Sequence, residues 1–172
     1  MKLCKGVLLF IVIVMLFGCG KTPSTMTGDK IIQETTVVLM VDKQSVLADA
    51  TMWKLTDKTK IQSNTGAKTT IDDLKAGDII SYENEGPIAE SYPQQGTLKE
   101  ITLFNDDYSL KVSSAILAFL ENQPYGNLVE FEILSVEGNE LTARMKVWDF
   151  EVDGRFLTQI DLETNEFTIS EE

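Results

Sequence analysis

The apolar positions of this chain fall into three regimes. Residues 6–17 are apolar without interruption, residues 21–30 are dominated by polar and small residues, and beyond residue 34 apolar side chains return in short, punctuated runs. The β-branched run 36–41 predicts a strand, 42–45 a turn, and 46–55, with small or apolar positions alternating around Trp53, a second strand paired with the first. Residues 56–59 turn again before Ile61, and 63–69 read as a polar loop. Residues 71–78 predict a single helical turn ended by Gly77, after which a strand resumes at 79–82 and is broken by Gly86-Pro87. Leu98, Ile101 and Leu103 then alternate with polar partners over 97–104. Five strands, with a helical turn between the third and fourth, suit a small closed barrel, which leaves no exposed edge.

The period then changes. Val112, Ala115, Ile116, Phe119 and Leu120 fall on one face of a 3.6-residue helix, with Asp106 and Asp107 placed to cap its start and Asn122-Gln123-Pro124 to stop it. Strands are expected at 129–136, 141–152 and 155–162, with 166–169 as a fourth, separated by turns at 137–140, 153–154 and 163–165. The middle strand changes register: Leu141, Ala143, Met145 and Val147 are apolar at odd numbers, Trp148, Phe150 and Val152 at even ones. A β-bulge near Val147-Trp148 would keep both halves on one buried face.

The first residues read as a secretory signal: basic Lys2 and Lys5, the apolar run, then Gly18-Cys19-Gly20. The apolar run is shorter than the roughly 20 residues a spanning helix needs. Leu16-Phe17-Gly18-Cys19 resembles the bacterial lipobox, with Phe17 bulkier than usual. That resemblance implies diacylglycerol on the Cys19 sulfur and cleavage after Gly18. Two acyl chains give a stable anchor without a spanning helix. Cys4 would leave with the signal and Cys19 would be consumed by lipid, so no thiol remains for a disulfide, a metal or a nucleophile. The polar residues after Cys19 then read as a tether.

Three stretches carry a resemblance to a known family: Leu55-Thr56-Asp57-Lys58-Thr59-Lys60-Ile61, Asp73-Leu74-Lys75-Ala76-Gly77-Asp78-Ile79-Ile80, and Gly86-Pro87-Ile88-Ala89-Glu90-Ser91-Tyr92-Pro93. Over about residues 35–104 the chain resembles the YobA-like lipoproteins of Gram-positive bacteria. The resemblance implies an OB-like β-barrel and no known activity, and this chain departs from it by a long additional C-terminal part. That part, a helix followed by a curved antiparallel sheet, resembles a PepSY module, and a generic cystatin-like arrangement prints the same pattern. A PepSY-like module implies an interaction role outside the cell.

Charge narrows the partners. The formal net charge is -12, and loss of residues 1–18, which hold two lysines and no acid, would make it -14. Residues 106–172 carry fifteen carboxylates against Lys111, Arg144, Lys146 and Arg155. Nucleic-acid binding draws its strength from cations that neutralise phosphates, and this surface would repel them. It would also resist lying flat on anionic lipid.

The chemistry available is limited. The chain has no histidine, which excludes imidazole-based triads and zinc sites that need it. Paired carboxylates can act as acid and base in glycosidases, but here they sit mostly at alternating strand positions, where a solvated face is the ordinary explanation. Asp149, Glu151, Asp153 and Gly154 match the opening of a calcium loop, yet its twelfth position, which needs a bidentate Glu, is Ile160. Trp53, Tyr82 and Tyr92 are the candidates for a groove along the barrel that takes sugar or peptide; aromatic residues in barrels are more often core.

The expected protein is mainly β with α+β: a signal peptide over 1–18, a lipid-anchored tether over 19–33, an OB-like barrel over 34–105 and an acidic α+β module over 106–172. Its expected role is that of a non-enzymatic binding or regulatory lipoprotein without metal or cofactor, held on the extracytoplasmic face of the cell membrane through Cys19. A protein or peptide of the envelope is the expected partner. A wall-glycan enzyme and a cation-binding envelope protein are the alternatives.

Overall fold

The computed structural model describes residues 26–147 and 154–172. The expected signal segment, Cys19, the expected tether up to residue 25, the expected bulge at Trp148 and the acids Asp149, Glu151 and Asp153 lie outside the described residues.

The fold is mainly β. A helix, α1 (Gly28–Glu34), precedes two short strands, β1 (Thr36–Val37) and β2 (Met40–Asp42), and a hairpin, β3 (Ser45–Ala48) and β4 (Thr51–Lys54). After β5 (Lys60–Ser63) comes a single 3₁₀ turn, Ile71–Asp73, at the expected place, then β6 (Ile79–Asn84) and the long β7 (Gln94–Phe104). These strands make one curled half-barrel sheet in the order β1-β6-β7-β4-β3-β2, with β5 also on β7. β7 holds it together. It pairs antiparallel with β6, while its first residues pair parallel with β4 and its last with β5. At the two ends of that order stand β1 and β2, successive pieces of a single extended segment, so the curl is bridged covalently at Val38-Leu39.

Three expectations change here. The small closed barrel of five strands is a half-barrel of seven. The strand expected over 46–55 is itself a hairpin, because Asp49 and Ala50 both take positive φ, 50° and 54°, and reverse the chain. The tether expected over 19–33 ends earlier. Met26 is 3% exposed and Ile31 fully buried, so apolar side chains hold residues 26–34 in the folded body as α1 and its lead-in.

The C-terminal part follows its hydrophobic pattern closely. Helix α2 (Asp107–Asn122) buries Val112, Ala115, Ile116 and Phe119, and Asp106 caps it by accepting the Ser109 N–H. Strands β8 (Leu128–Glu137), β9 (Glu140–Val147), β10 (Arg155–Asp161) and β11 (Phe167–Glu171) form a second, antiparallel sheet in the order β11-β10-β9-β8. Register irregularities fall within β8, between Leu128 and Glu130 and between Ile133 and Ser135. Among the described residues no helix is long and apolar enough to cross a membrane.

The two sheets share a core. Val38, Ile80 and Leu103 face the inside of the half-barrel with Trp53, Leu98 and Ile101. Their sequence neighbours Val37, Ile79 and Phe104 point the other way, into a second core built from α2 and β8–β10. Successive strand residues point to opposite faces. The wall made by β1, β6 and β7 is therefore apolar on both sides, which is why Val37-Val38, Ile79-Ile80 and Leu103-Phe104 are doublets instead of alternating positions. Further along, the edge of β8 is covered by α1 and by the β3–β4 turn, where the Ala50 N–H donates to the Val129 carbonyl (3.1 Å).

Candidate functional site

The β3–β4 turn positions the site. With Ala48 paired to Thr51, Asp49 and Ala50 form a two-residue turn of the type that needs positive φ at both positions. Asp tolerates this conformation through its short polar side chain, whereas for Ala it costs about 1 kcal/mol. Backbone bonds at Ala50 offset that cost: its N–H goes to Val129, and its carbonyl accepts the Gln94 N–H at 2.8 Å. Strain held in place by contacts on two sides is a mark of functional positions.

The turn presents the Asp49 carboxylate to two donors far away in sequence. Oδ1 accepts from the Thr36 hydroxyl at 2.5 Å and Oδ2 from the Tyr82 phenol at 2.9 Å. Tyr82 is half-buried, with its ring centroid 4.8 Å from that of Trp53. Burial pushes the Tyr82 phenol well above the usual tyrosine range, and the charge of Asp49 and its hydrogen bond add to the effect.

Two clefts open beside this cluster and share Thr35, Thr36 and Asp49. One, of about 270 Å³, runs between α1 and β8 and is lined also by Ile32, Phe131 and Leu134. The other, of about 330 Å³, is lined also by Gln33, Glu34 and Tyr82. The first lies where α1, the half-barrel and the second sheet meet, and the second between α1 and the half-barrel; junctions between packed units are a common place for ligand sites. The arrangement offers carboxylate acceptors and the hydroxyl groups of Thr35, Thr36, Ser81 and Tyr82 to a ligand rich in hydrogen-bond donors. Among the described residues no three potential metal-ligating side chains converge.

The residues singled out from sequence separate. Tyr82 reaches the cluster. Trp53 is 1% exposed and lies in the barrel core beneath Tyr82, its ring covering Gly96 so closely that no Cβ fits there. Tyr92 is exposed and lines neither cleft; Lys146 of β9 stands over its ring, Nζ 5.3 Å from the centroid. Sequence reasoning missed Asp49 and Thr36, which lay inside apparent strands. The turn they depend on lacks the glycine or asparagine that would have marked it.

A second polar cluster joins the half-barrel to α2. Asn64 donates to Asp106 Oδ2 (2.7 Å) and accepts the Asn105 N–H (2.9 Å), and the Ser109 hydroxyl also donates to Asp106 (2.8 Å). Partial burial pushes the Asp106 carboxyl up, but the bonds from Ser109 and Asn64 outweigh it and hold the group below the usual carboxylate range.

No protein-family model, no curated protein and no solved structure matches this chain.

Proposed function

We propose that this protein is an extracytoplasmic lipoprotein, held on the membrane through lipid on Cys19, that binds a protein or peptide of the cell envelope and carries out no catalysis. The Asp49 cleft is the binding site in this reading. One observation carries it: the Asp49 carboxylate, set on a turn with positive φ at both residues and hydrogen-bonded by Thr36 and Tyr82, stands beside two clefts, one between α1 and β8 and one between α1 and β6. A partner segment entering there would meet acceptors from Asp49 and Glu34 and an apolar wall from Ile32, Phe131 and Leu134. The lipobox-like Leu16-Phe17-Gly18-Cys19 and the resemblance to YobA-like lipoproteins support the location.

Crosslinking in intact cells, read by mass spectrometry, tests the role. The wild-type chain should capture a defined envelope protein, and Asp49→Asn combined with Thr36→Val should lose it while folding normally. Capture of nothing, or equal capture by both, counts against the reading. Cys19→Ala should release unlipidated protein from the membrane fraction, and full retention would contradict the anchor.

A further inference from the structure

At the Asp49 cleft the edges of the two sheets face each other. The Val38 N–H donates to the Asp78 carbonyl (2.8 Å), a bond that flanks the Val37–Ile79 pair and marks it as one of the unbonded pairs of the β1–β6 ladder. Val37 therefore aims its own N–H and C=O away from β6. The second sheet shows the same alternation. The Leu162 N–H donates to the Asn139 carbonyl (2.7 Å) and so flanks the pair Asp161–Glu140, which makes Leu141, Ala143 and Met145 the residues bonded to β10. Opposite Met145 and Ala143 on the other side of β9 stand Phe131 and Ile133, whose main-chain groups accordingly point away from β9.

Val37, Phe131 and Ile133 are all buried, and all three line the cleft of about 270 Å³ beside Asp49. Among the described residues β1 and β8 share no ladder and no isolated bridge, and no turn or loop backbone bonds these groups. The β8 edge is closed at its ends, where Ala50 donates to the Val129 carbonyl and Gly28 lies against that of Val136; between them Phe131 to Leu134 line the cleft. Buried main-chain donors and acceptors almost always have partners, and unpaired ones along a strand edge are a template for a further strand. We infer that the cleft takes an extended peptide segment of the partner, laid along β8, whose main-chain groups answer those of Phe131, Ile133 and Val37 and whose lysine or arginine side chain reaches Asp49. This rests on the reading of the Asp49 cleft as the binding site and adds the class of ligand. Charge selects the side chain: Asp49 and Glu34 line the clefts, Glu132 already holds Arg144 at 2.9 Å, and neither Arg144 nor Lys30 of α1 lines either cleft. Ile32 and Leu134 offer apolar walls to its aliphatic stem.

Main-chain pairing tolerates sequence, so a synthetic peptide of alternating lysine and valine serves as the probe. The amide signals of Val37, Phe131 and Ile133 are followed by nuclear magnetic resonance in the isotope-labelled full chain, held in detergent micelles. The Lys-Val peptide should shift all three signals and slow their hydrogen exchange several-fold. The same peptide N-methylated at every residue, which cannot donate to a ladder, should bind several-fold more weakly, a Glu-Val peptide should not bind, and Asp49→Asn should weaken the Lys-Val peptide. Equal binding of the methylated peptide overturns main-chain pairing, and equal binding of the Glu-Val peptide overturns the choice of a basic side chain. Amides that stay unshifted with every peptide mean that water alone fills the cleft, and overturn the inference outright. The binding-site reading is decided separately, by whether Asp49→Asn with Thr36→Val loses the partner captured in intact cells.

Discussion

Ile79 and Ile80 are adjacent on β6, both fully buried, and belong to different cores: Ile79 packs with α2 and the second sheet, Ile80 with Trp53 and Leu98 inside the half-barrel. A single strand thereby forms the partition between the two halves of the molecule. The halves are consequently coupled, and loss of packing on either face of the partition reaches both.

This partition can be tested with matched truncations. Ile79→Ala and Ile80→Ala should each cost roughly 2–5 kcal/mol in denaturant unfolding, the range for a buried isoleucine reduced to alanine. Hydrogen exchange should tell them apart. Ile79→Ala should deprotect α2 and β8 first, and Ile80→Ala should deprotect β3 and β4 first. Identical exchange patterns would mean that the two cores do not exist as separate units.

Gly77 should tolerate no side chain. Its φ is +85°, and a Cβ would lie 2.9 Å from Cβ and 3.0 Å from Cα of Leu117 on α2. Gly77→Ala should destabilise by roughly 2 kcal/mol or more, combining the left-handed backbone cost with displacement of the helix. Leu117→Ala leaves a methyl group at the point of contact and should not rescue it. A neutral Gly77→Ala in thermal unfolding would show that the turn does not press on α2.

The Tyr82–Asp49 pair predicts a pH dependence at the alkaline end. The phenol of folded Tyr82 ionises only above its unfolded value of about 10, so the folded state holds the proton longer than the unfolded one. The resulting stability is complete below about pH 10 and falls as pH rises beyond it. Tyr82→Phe should flatten that alkaline loss relative to wild type. Burial also raises the Tyr108 phenol, so ultraviolet titration of the folded protein should show Tyr82 and Tyr108 ionising later than in denaturant, and Tyr82→Phe should remove one of these two late tyrosines.

Asp106 acts at the opposite end of the scale. Its carboxyl lies below the usual range in the folded state, so its stabilisation is present above about pH 3.9, the unfolded value, and is lost as pH falls through the lower folded value. Asp106→Ala removes the cap of α2 and the partner of Asn64, and should cost about 1–2 kcal/mol at neutral pH. The mutant's acid-unfolding midpoint should move toward neutral pH, and an unchanged midpoint would exclude this role.

Much of the architecture was legible because local signals agreed with their surroundings. The α2 stripe, its Asp106 cap and the odd-numbered apolar positions of β9 each bury one face, and a face-forming period is visible without knowing what covers it. In the half-barrel, the strands begun at 79 and spanning 97–104 and the helical turn before Gly77 were legible for the same reason, whereas the runs 36–41 and 46–55, each read as one strand, are divided in two. The residues around Thr36 and Asp49 were not, since their significance lies in a meeting of segments that are distant in sequence.

What the sequence determined by itself was the α2 stripe with its cap, the strand periods of the second sheet, the helical turn before Gly77 and the acidity of the distal half, all properties of neighbouring residues. The tertiary structure alone decided that the doublets Val37-Val38, Ile79-Ile80 and Leu103-Phe104 are split between two cores. It also decided that Met26 and Ile31 belong to the body and not to a tether, and that Asp49 meets Tyr82 and Thr36. Burial of a second face, docking of a short helix and hydrogen bonds across a turn depend on what stands opposite a residue in space, and no period along the chain records that.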